Sequence, residues 1–315
     1  MAPPSEPSLP SRREALELLP RPGREHPFGR TDAGRIEDLA ARLAGEVLSG
    51  MSDAEALRLA VSLCDLTSLK GSETPSEIEA LCARALAPCV GVPDAETAAC
   101  PPVAAVCVYP NMVSTVATAL RGTSVRVIAA SGFPSGGGPL DVRVREVRTA
   151  VESGADEVDL VTNRSAFLAG DYKTVYAEIV ALKEACGGAR MKVILETGEL
   201  PSYDAIRNAA FIAMLAGADF IKTSTGKTNT SATPPAVLTM ADAIRDFQYR
   251  FGSRVGIKPA GGIRTAKDAM AYLSLVNETL GPDCLTPDRF RLGASGLLDD
   301  LVSELVKHGA GKRVR

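Results

Sequence analysis

Eight short apolar runs recur along this chain, each bounded by polar or glycine residues: "AVSLCDLT", "VAAVCVYP", "VRVIAASG", "EVDLVTN", "MKVILETG", "DFIKTSTG", "RVGIKPAGG" and "FRLGAS". Longer amphipathic segments lie between them, among them "SEIEALCARAL", "DVRVREVRTAVESG", "YKTVYAEIVALKEAC", "SYDAIRNAAFIAMLAG", "PPAVLTMADAIRDFQYRF" and "AKDAMAYLSLVNETL". The segment after "VAAVCVYP" is short for a helix. Runs this apolar, separated by helical segments, read as parallel strands buried on both faces. Eight units in a row predict an α/β fold of the closed (β/α)8 barrel type, not an open doubly wound sheet. Residues 1–33 are rich in Pro, Ser and charge and are expected to form a flexible leader with one short helix near "SRREALELL". The folded body, residues 34–315, is expected to be one barrel domain. It starts with a helix over "GRIEDLAARLAGEVL", where Ile36, Leu39, Ala40, Leu43 and Val47 share a face.

A chain of 315 residues could hold two ordinary domains or one large barrel, and the repeat decides for the barrel. With 45 % apolar and 23 % charged residues the class is globular, and a net charge of -3 gives no electrostatic reason to expect nucleic acid or an acidic membrane surface. No apolar run approaches the roughly 20 residues of a membrane span, and the N-terminus lacks the apolar core of a signal peptide, so a cytoplasmic location is the default expectation. Seven cysteines, odd in number and without CxxC spacing, indicate neither a disulfide framework nor a zinc knuckle. His26 and His308 are the only histidines, so a metal centre of three imidazoles cannot be assembled and no metal or cofactor is expected.

The stretch "ADFIKTSTGKTNT" contains Gly-Lys-Thr, the end of a nucleotide-binding loop, but that loop needs a glycine where Ile221 stands. What remains is a strand carrying Lys222 into a loop of small residues. Strand alternation puts Phe220, Lys222 and Ser224 on one face and Gly256 and Lys258 on one face of the next strand, while Ile221, Val255 and Ile257 face outward. Both lysines then enter one barrel mouth, where functional groups gather. Two ammonium groups about 5 Å apart at an effective dielectric near 20 repel by roughly 3 kcal/mol, enough to lower one amine by about two pKa units. Such an amine beside a carboxylate is equipped for Schiff-base chemistry, and Asp159, at the end of "ADEVD", has the right parity to serve as the base. The same three residues would also make a buried ion-pair network.

Glycine-containing loops follow the last three strands: "STGKTN", "PAGGIRTAKD" and "LGASGLL". In barrels the final loops and a helix N-terminus often hold phosphate, which makes Gly226, Lys227, Gly261, Gly262, Ser295 and Gly296 the expected lining, with Arg264 as an outer charge. Turn glycines and solvated surface charge would give the same pattern in any one loop.

The segments "DEVDLV", "ETGEL", "FIKTSTGKTNTSAT", "GIKPAGGIRTAKDA" and "FRLGAS" resemble the signature segments of the deoxyribose-phosphate aldolase family, over most of the chain from "LCDLTSL" to "GASGLL". "NRS" after the fourth strand and the long leader are more similar to the animal-type branch. The resemblance implies a metal-free class I aldolase that cleaves 2-deoxy-D-ribose 5-phosphate reversibly to glyceraldehyde 3-phosphate and acetaldehyde. It implies Lys222 as the Schiff-base lysine, Lys258 as its perturbing neighbour, and Asp159 as a proton relay through water. Asp65 and Thr225 match positions near the substrate hydroxyls, and Gly226, Lys227, Gly261, Gly262 and Ser295 match phosphate contacts. Cys107 matches a cysteine near the substrate entrance and also reads as a buried packing thiol. Partners are then a phosphorylated sugar and acetaldehyde, with room for a homo-oligomer.

Two departures stand out. "GASG" replaces the family's "GASS" or "GAST", so Gly296 brings a backbone donor and no hydroxyl. The last tyrosine is Tyr272, so "KHGAGKRVR" lacks the tail tyrosine that bacterial members use in proton transfer. A different class I aldolase or transaldolase, and a non-enzymatic barrel that keeps its lysines for stability, are the competing readings.

Overall fold

Several element starts are written into the sequence as caps. Ser52 with Glu55, Thr74 with Glu77 and Thr265 with Asp268 form reciprocal capping boxes, and Pro75 and Pro234 open helices where no backbone donor is needed. The computed structural model of the chain describes residues 8–310 apart from 47, 49 and 91–99. Three helices, α1 (Arg12–Leu18), α2 (Ala33–Ala44) and α3 (Asp53–Ser62), precede the first strand. The strands are β1 (Cys64–Thr67), β2 (Ala105–Val108), β3 (Arg126–Ser131), β4 (Glu157–Val161), β5 (Arg190–Ile194), β6 (Phe220–Lys222), β7 (Gly256–Lys258) and β8 (Leu292–Ala294). Between and after them run α4 (Pro75–Leu86), α5 (Val113–Ala119), α6 (Leu140–Glu152), α7 (Arg164–Leu168), α8 (Tyr172–Cys186), α9 (Tyr203–Leu215), α10 (Pro234–Phe251), α11 (Ala266–Leu280) and α12 (Leu297–Ala310).

From β1 to β7 each strand pairs in parallel with the next, and β1 also pairs in parallel with β8. The last gap, between β7 and β8, is joined by parallel bridges Ile257 to Phe290 and Ala260 to Gly293, with Ile257 N donating to Arg289 O at 2.8 Å and Arg291 N to Ile257 O at 3.1 Å. The expected eight-stranded barrel is therefore present. Its aliphatic residues Ile221, Val255 and Ile257 are buried in the main apolar core, as alternation requires.

Two boundaries differ from the sequence reading. "AVSL", assigned to the first strand, supplies the last turn of α3 and its cap at Leu63, because no turn residue separates helix from strand there. Residues 8–32, expected to be a loose leader, pack on the barrel's outer helices, Arg12 of α1 pairing with Glu184 of α8 and residues 25–31 docking on α9. Ala15, Leu19 and Phe28 are buried, Phe28 stacks on Phe211 with centroids 4.3 Å apart, and Arg207 Nε donates to Phe28 O at 2.8 Å. A few apolar residues suffice when the surface that receives them is apolar as well, and composition averages over both. Residues 1–7, and Val47 of the expected helical face, lie outside the described residues. Among the described residues no helix is long and apolar enough to cross a membrane.

Candidate active site

The inner face of the barrel is divided by charge. On the β2 and β3 side Ala105, Cys107, Ile128 and Ala130 form an apolar wall with Leu69, flanked by Tyr109 and Phe133. The opposite side carries seven ionisable side chains, Asp65, Glu157, Asp159, Lys192, Lys222, Lys258 and Arg291, none more than 4 % exposed. Burying so many charges is tolerable only if they are mutually paired.

The pairing follows the strand register. Asp159 on β4 lies opposite Lys192 on β5, and Lys222 on β6 lies opposite Lys258 on β7. The Asp159 carboxylate receives three ammonium groups: Lys192 on Oδ1 at 3.2 Å, and Lys222 and Lys258 both on Oδ2 at 2.8 Å. Lys258 also meets Asp65 Oδ2 at 2.5 Å, and Lys192 also pairs with Glu157. Arg291 closes the circuit by donating from Nη1 to Asp65 at 2.6 Å and from Nη2 to Glu157 at 2.7 Å. Arg126 approaches Glu157 from the half-exposed outer end at 3.6 Å.

Four cations thus face three carboxylates in the buried cluster. Lys192, Lys258 and Arg291 each touch two carboxylates, whereas Lys222 touches one. Its amine is shifted below the ordinary lysine value, chiefly by burial, with the Lys258 ammonium adding to the effect and Asp159 opposing it. The charge crowding expected from the sequence is therefore present, but it is secondary to desolvation. Lys258 moves the other way: burial opposes its charge, and Asp159 and Asp65 together raise it above the ordinary value. Burial works upward on Asp159, yet Lys192, Lys222 and Lys258 hold its carboxyl well below the usual range. The two facing lysines are therefore driven in opposite directions, Lys222 downward by burial and Lys258 upward by its two carboxylates.

Phe220 forms the floor beneath these groups. Its ring lies 5.7 Å from Lys192 Nζ and 5.8 Å from Arg291 Cζ, measured to the centroid. The ring fits because residue 256 is glycine: a Cβ there would lie 2.3 Å from a Phe220 ring carbon. Cys107 is fully buried, and burial pushes its thiol up to about 11, so it is a protonated packing group at neutral pH.

At the mouth, the loops after β6, β7 and β8 lie side by side. Gly226, Gly261 and Gly262 all have positive φ, and a Cβ on Gly261 would come within 2.9 Å of Gly226 Cα, so these two loops touch through backbone. Ser295 and the exposed Gly296 lead directly into α12. Arg264 is exposed. Lys227 Nζ donates to Leu69 O at 2.8 Å, reaching across to the loop after β1. The Thr225 hydroxyl does not face the lysines. It donates to Glu196 at 2.6 Å and accepts from Lys227 N at 3.1 Å.

Three residues of the buried cluster escaped the sequence reading as individuals, Glu157, Lys192 and Arg291, as did Glu196, which lies behind the loop after β6 and outside that cluster. Glu157 and Lys192 could have been found from alternation, since each lies two residues or one register partner from Asp159. Ser224, placed by parity on the Lys222 face, is fully buried with no hydrogen-bond partner for its hydroxyl.

A barrel with a desolvated lysine beside a buried carboxylate, and glycine loops over its last three strands, is the architecture of a Schiff-base aldolase. The profile of the DeoC/LacD family aldolases matches residues 59–281, and the chain belongs to that family. It is 46 % identical over 263 residues to the deoxyribose-phosphate aldolase of Mus musculus, covering 80 % of this chain and 81 % of that one. The Homo sapiens deoxyribose-phosphate aldolase is 45 % identical over the same length and shares of the chains. A solved structure from Toxoplasma gondii ME49 matches with a TM-score of 0.70 at 26 % identity, covering 82 % of this chain and 95 % of that one.

Proposed function

We propose that this chain is a class I aldolase that cleaves 2-deoxy-D-ribose 5-phosphate reversibly to D-glyceraldehyde 3-phosphate and acetaldehyde. The carrying observation is the imbalance at Lys222, a buried amine with one carboxylate contact and a value below the ordinary lysine range. A neutral Lys222 Nζ adds to the aldehyde carbon of the open-chain sugar, and loss of water gives an iminium. That cation is an electron sink for the adjacent carbon-carbon bond. Removal of the proton from the C3 hydroxyl breaks the C2–C3 bond, releasing glyceraldehyde 3-phosphate and leaving an enamine. Protonation of the enamine at C2 and addition of water return acetaldehyde and the free lysine.

Asp159, 2.8 Å from Lys222 Nζ, moves these protons through water in this reading; Lys192, Lys222 and Lys258 hold it ionised, and Lys258 also disfavours a charge at Lys222. Asp65 holds Lys258 from the far side at 2.5 Å. The substrate phosphate lies over Gly226, Lys227, Gly261, Gly262, Ser295 and Gly296, where Lys227 brings a cation and the loops bring backbone donors. The apolar wall with Cys107 accommodates the two-carbon end of the substrate.

Borohydride reduction tests this reading. Treatment with deoxyribose 5-phosphate, and separately with acetaldehyde alone, should add the reduced adduct to the peptide containing Lys222, as read by mass spectrometry. A mass gain on another lysine, or none with acetaldehyde, would overturn it.

A further inference from the structure

Glu196 is the one non-glycine residue at positive φ among the described residues, with φ 54° and ψ 59°, and it is fully buried. A glutamate rarely adopts the left-handed conformation, so something must hold it there. Its carboxylate reaches from the end of β5 under the loop after β6. There it accepts from Thr225 N at 3.1 Å and from the Thr225 hydroxyl at 2.6 Å, and it shares the Thr228 hydroxyl, 3.2 Å away, with Thr230 O at 3.0 Å from that hydroxyl. Arg164 Nη1 stands 3.7 Å away and is itself fixed by Glu199 at 2.6 Å. Because the Thr225 hydroxyl in turn accepts from Lys227 N, one carboxylate sets the path of Thr225, Gly226, Lys227 and Thr228.

We propose that Glu196 is a positioning residue for the anion-binding loop after β6, and through it a determinant of the preference for phosphorylated over unphosphorylated sugar. The carboxylate lies behind the loop, with its contacts on Thr225 and Thr228, so its charge is spent on the loop's own donors. Held this way, Gly226 and the two N–H groups of the Lys227 ammonium not given to Leu69 O are left to the ligand, and the loop after β7 is fixed too because Gly261 rests on Gly226. The identity of the phosphorylated ligand rests on the aldolase reading above; the claim that Glu196 shapes an anion site does not.

The test uses the full chain and two variants, Glu196→Gln, which keeps the shape and removes the charge, and Thr228→Val, which removes one hydroxyl from the clasp. Calorimetric titration with inorganic phosphate should show binding to the unaltered protein weakened about tenfold by Glu196→Gln and by a smaller factor in Thr228→Val. KM for deoxyribose 5-phosphate should rise by a similar factor, with kcat and the KM for unphosphorylated deoxyribose changed by less than about twofold. Borohydride trapping with acetaldehyde should proceed at the unaltered rate, since that reaction needs no phosphate. Unchanged phosphate affinity in both variants, or an equal loss with both sugars, would overturn the proposal; if Glu196→Gln does not fold, Thr228→Val decides. Absence of acetaldehyde trapping in the unaltered protein would instead refute the aldolase reading and leave the phosphate titration to judge Glu196.

Discussion

Lys222 and Lys258 stand opposite one another on adjacent strands and share a single oxygen atom, Oδ2 of Asp159, at 2.8 Å each. Their nitrogens are therefore no farther apart than the sum of those two contacts. Lys258, which has the second carboxylate, is raised above the ordinary lysine value, and Lys222, which lacks it, is lowered below that value, chiefly by burial.

Replacing Lys222 with Leu should give a folded and inactive protein. The substitution leaves three cations facing three carboxylates, so no buried charge is orphaned, and stability should stay within about 1 kcal/mol of the unaltered chain. Denaturant midpoints and the loss of borohydride-trapped adduct check both halves.

Replacing Arg291 with Met should have the reverse profile in stability. It strips Asp65 and Glu157 of a shared partner inside the barrel, and the expected loss is about 3–5 kcal/mol. A urea unfolding curve would show the midpoint fall; a midpoint equal to that of Lys222→Leu would contradict the pairing described here.

In Lys258→Met the Lys222 amine loses a neighbouring positive charge, so its value should climb back toward the ordinary range. Trapping by acetaldehyde requires the neutral amine and rises with pH, so the acid limb of its pH profile should move to higher pH. The displacement should be modest because burial, the larger cause, is untouched. Trapping rates measured across pH for both proteins check this.

Acid should dissolve the network in a set order of sign. Burial alone would raise the Asp65 carboxyl, but Arg291, Lys258 and Lys192 bring it from 3.8 down to about 2. A depressed carboxylate stabilises the fold fully above its unfolded value and loses that contribution as pH falls through the folded one. The stability gap between the unaltered protein and Asp65→Asn should therefore be widest above about pH 4 and close toward pH 2. Denaturant titrations at stepped pH would show it.

Cys107 should resist alkylation by iodoacetamide in the native protein, being fully buried and protonated, and should label only on unfolding. Cys107→Ala should retain Lys222 trapping within about threefold, since the thiol packs and does not move protons.

The barrel was readable from the chain because strand and helix alternate with consistent periods, and alternation alone put Lys222 and Lys258 on one inward face. The partners at the lower end of the barrel were harder to read. Glu157, Lys192 and Arg291 stand at or near strand starts, where a charged residue is as common on a solvated rim as inside, and only the register shows that they converge. The physical cause of the Lys222 shift was likewise assigned from spacing to repulsion between amines, since burial depth has no signature in a short strand. Glu196 carried a signal in "ETGEL", but its left-handed backbone could not be inferred from residue type.

Because the Phe220 ring fills the space beside Gly256, the barrel interior gains no room from substitution at that position. A methyl added at residue 256 would lie 2.3 Å from a Phe220 ring carbon and displace a ring that sits against Lys192 and Arg291. Attempts to admit bulkier aldehydes should therefore remodel the rim around Leu69, Tyr109 and Phe133, where widening would leave the proton circuit intact.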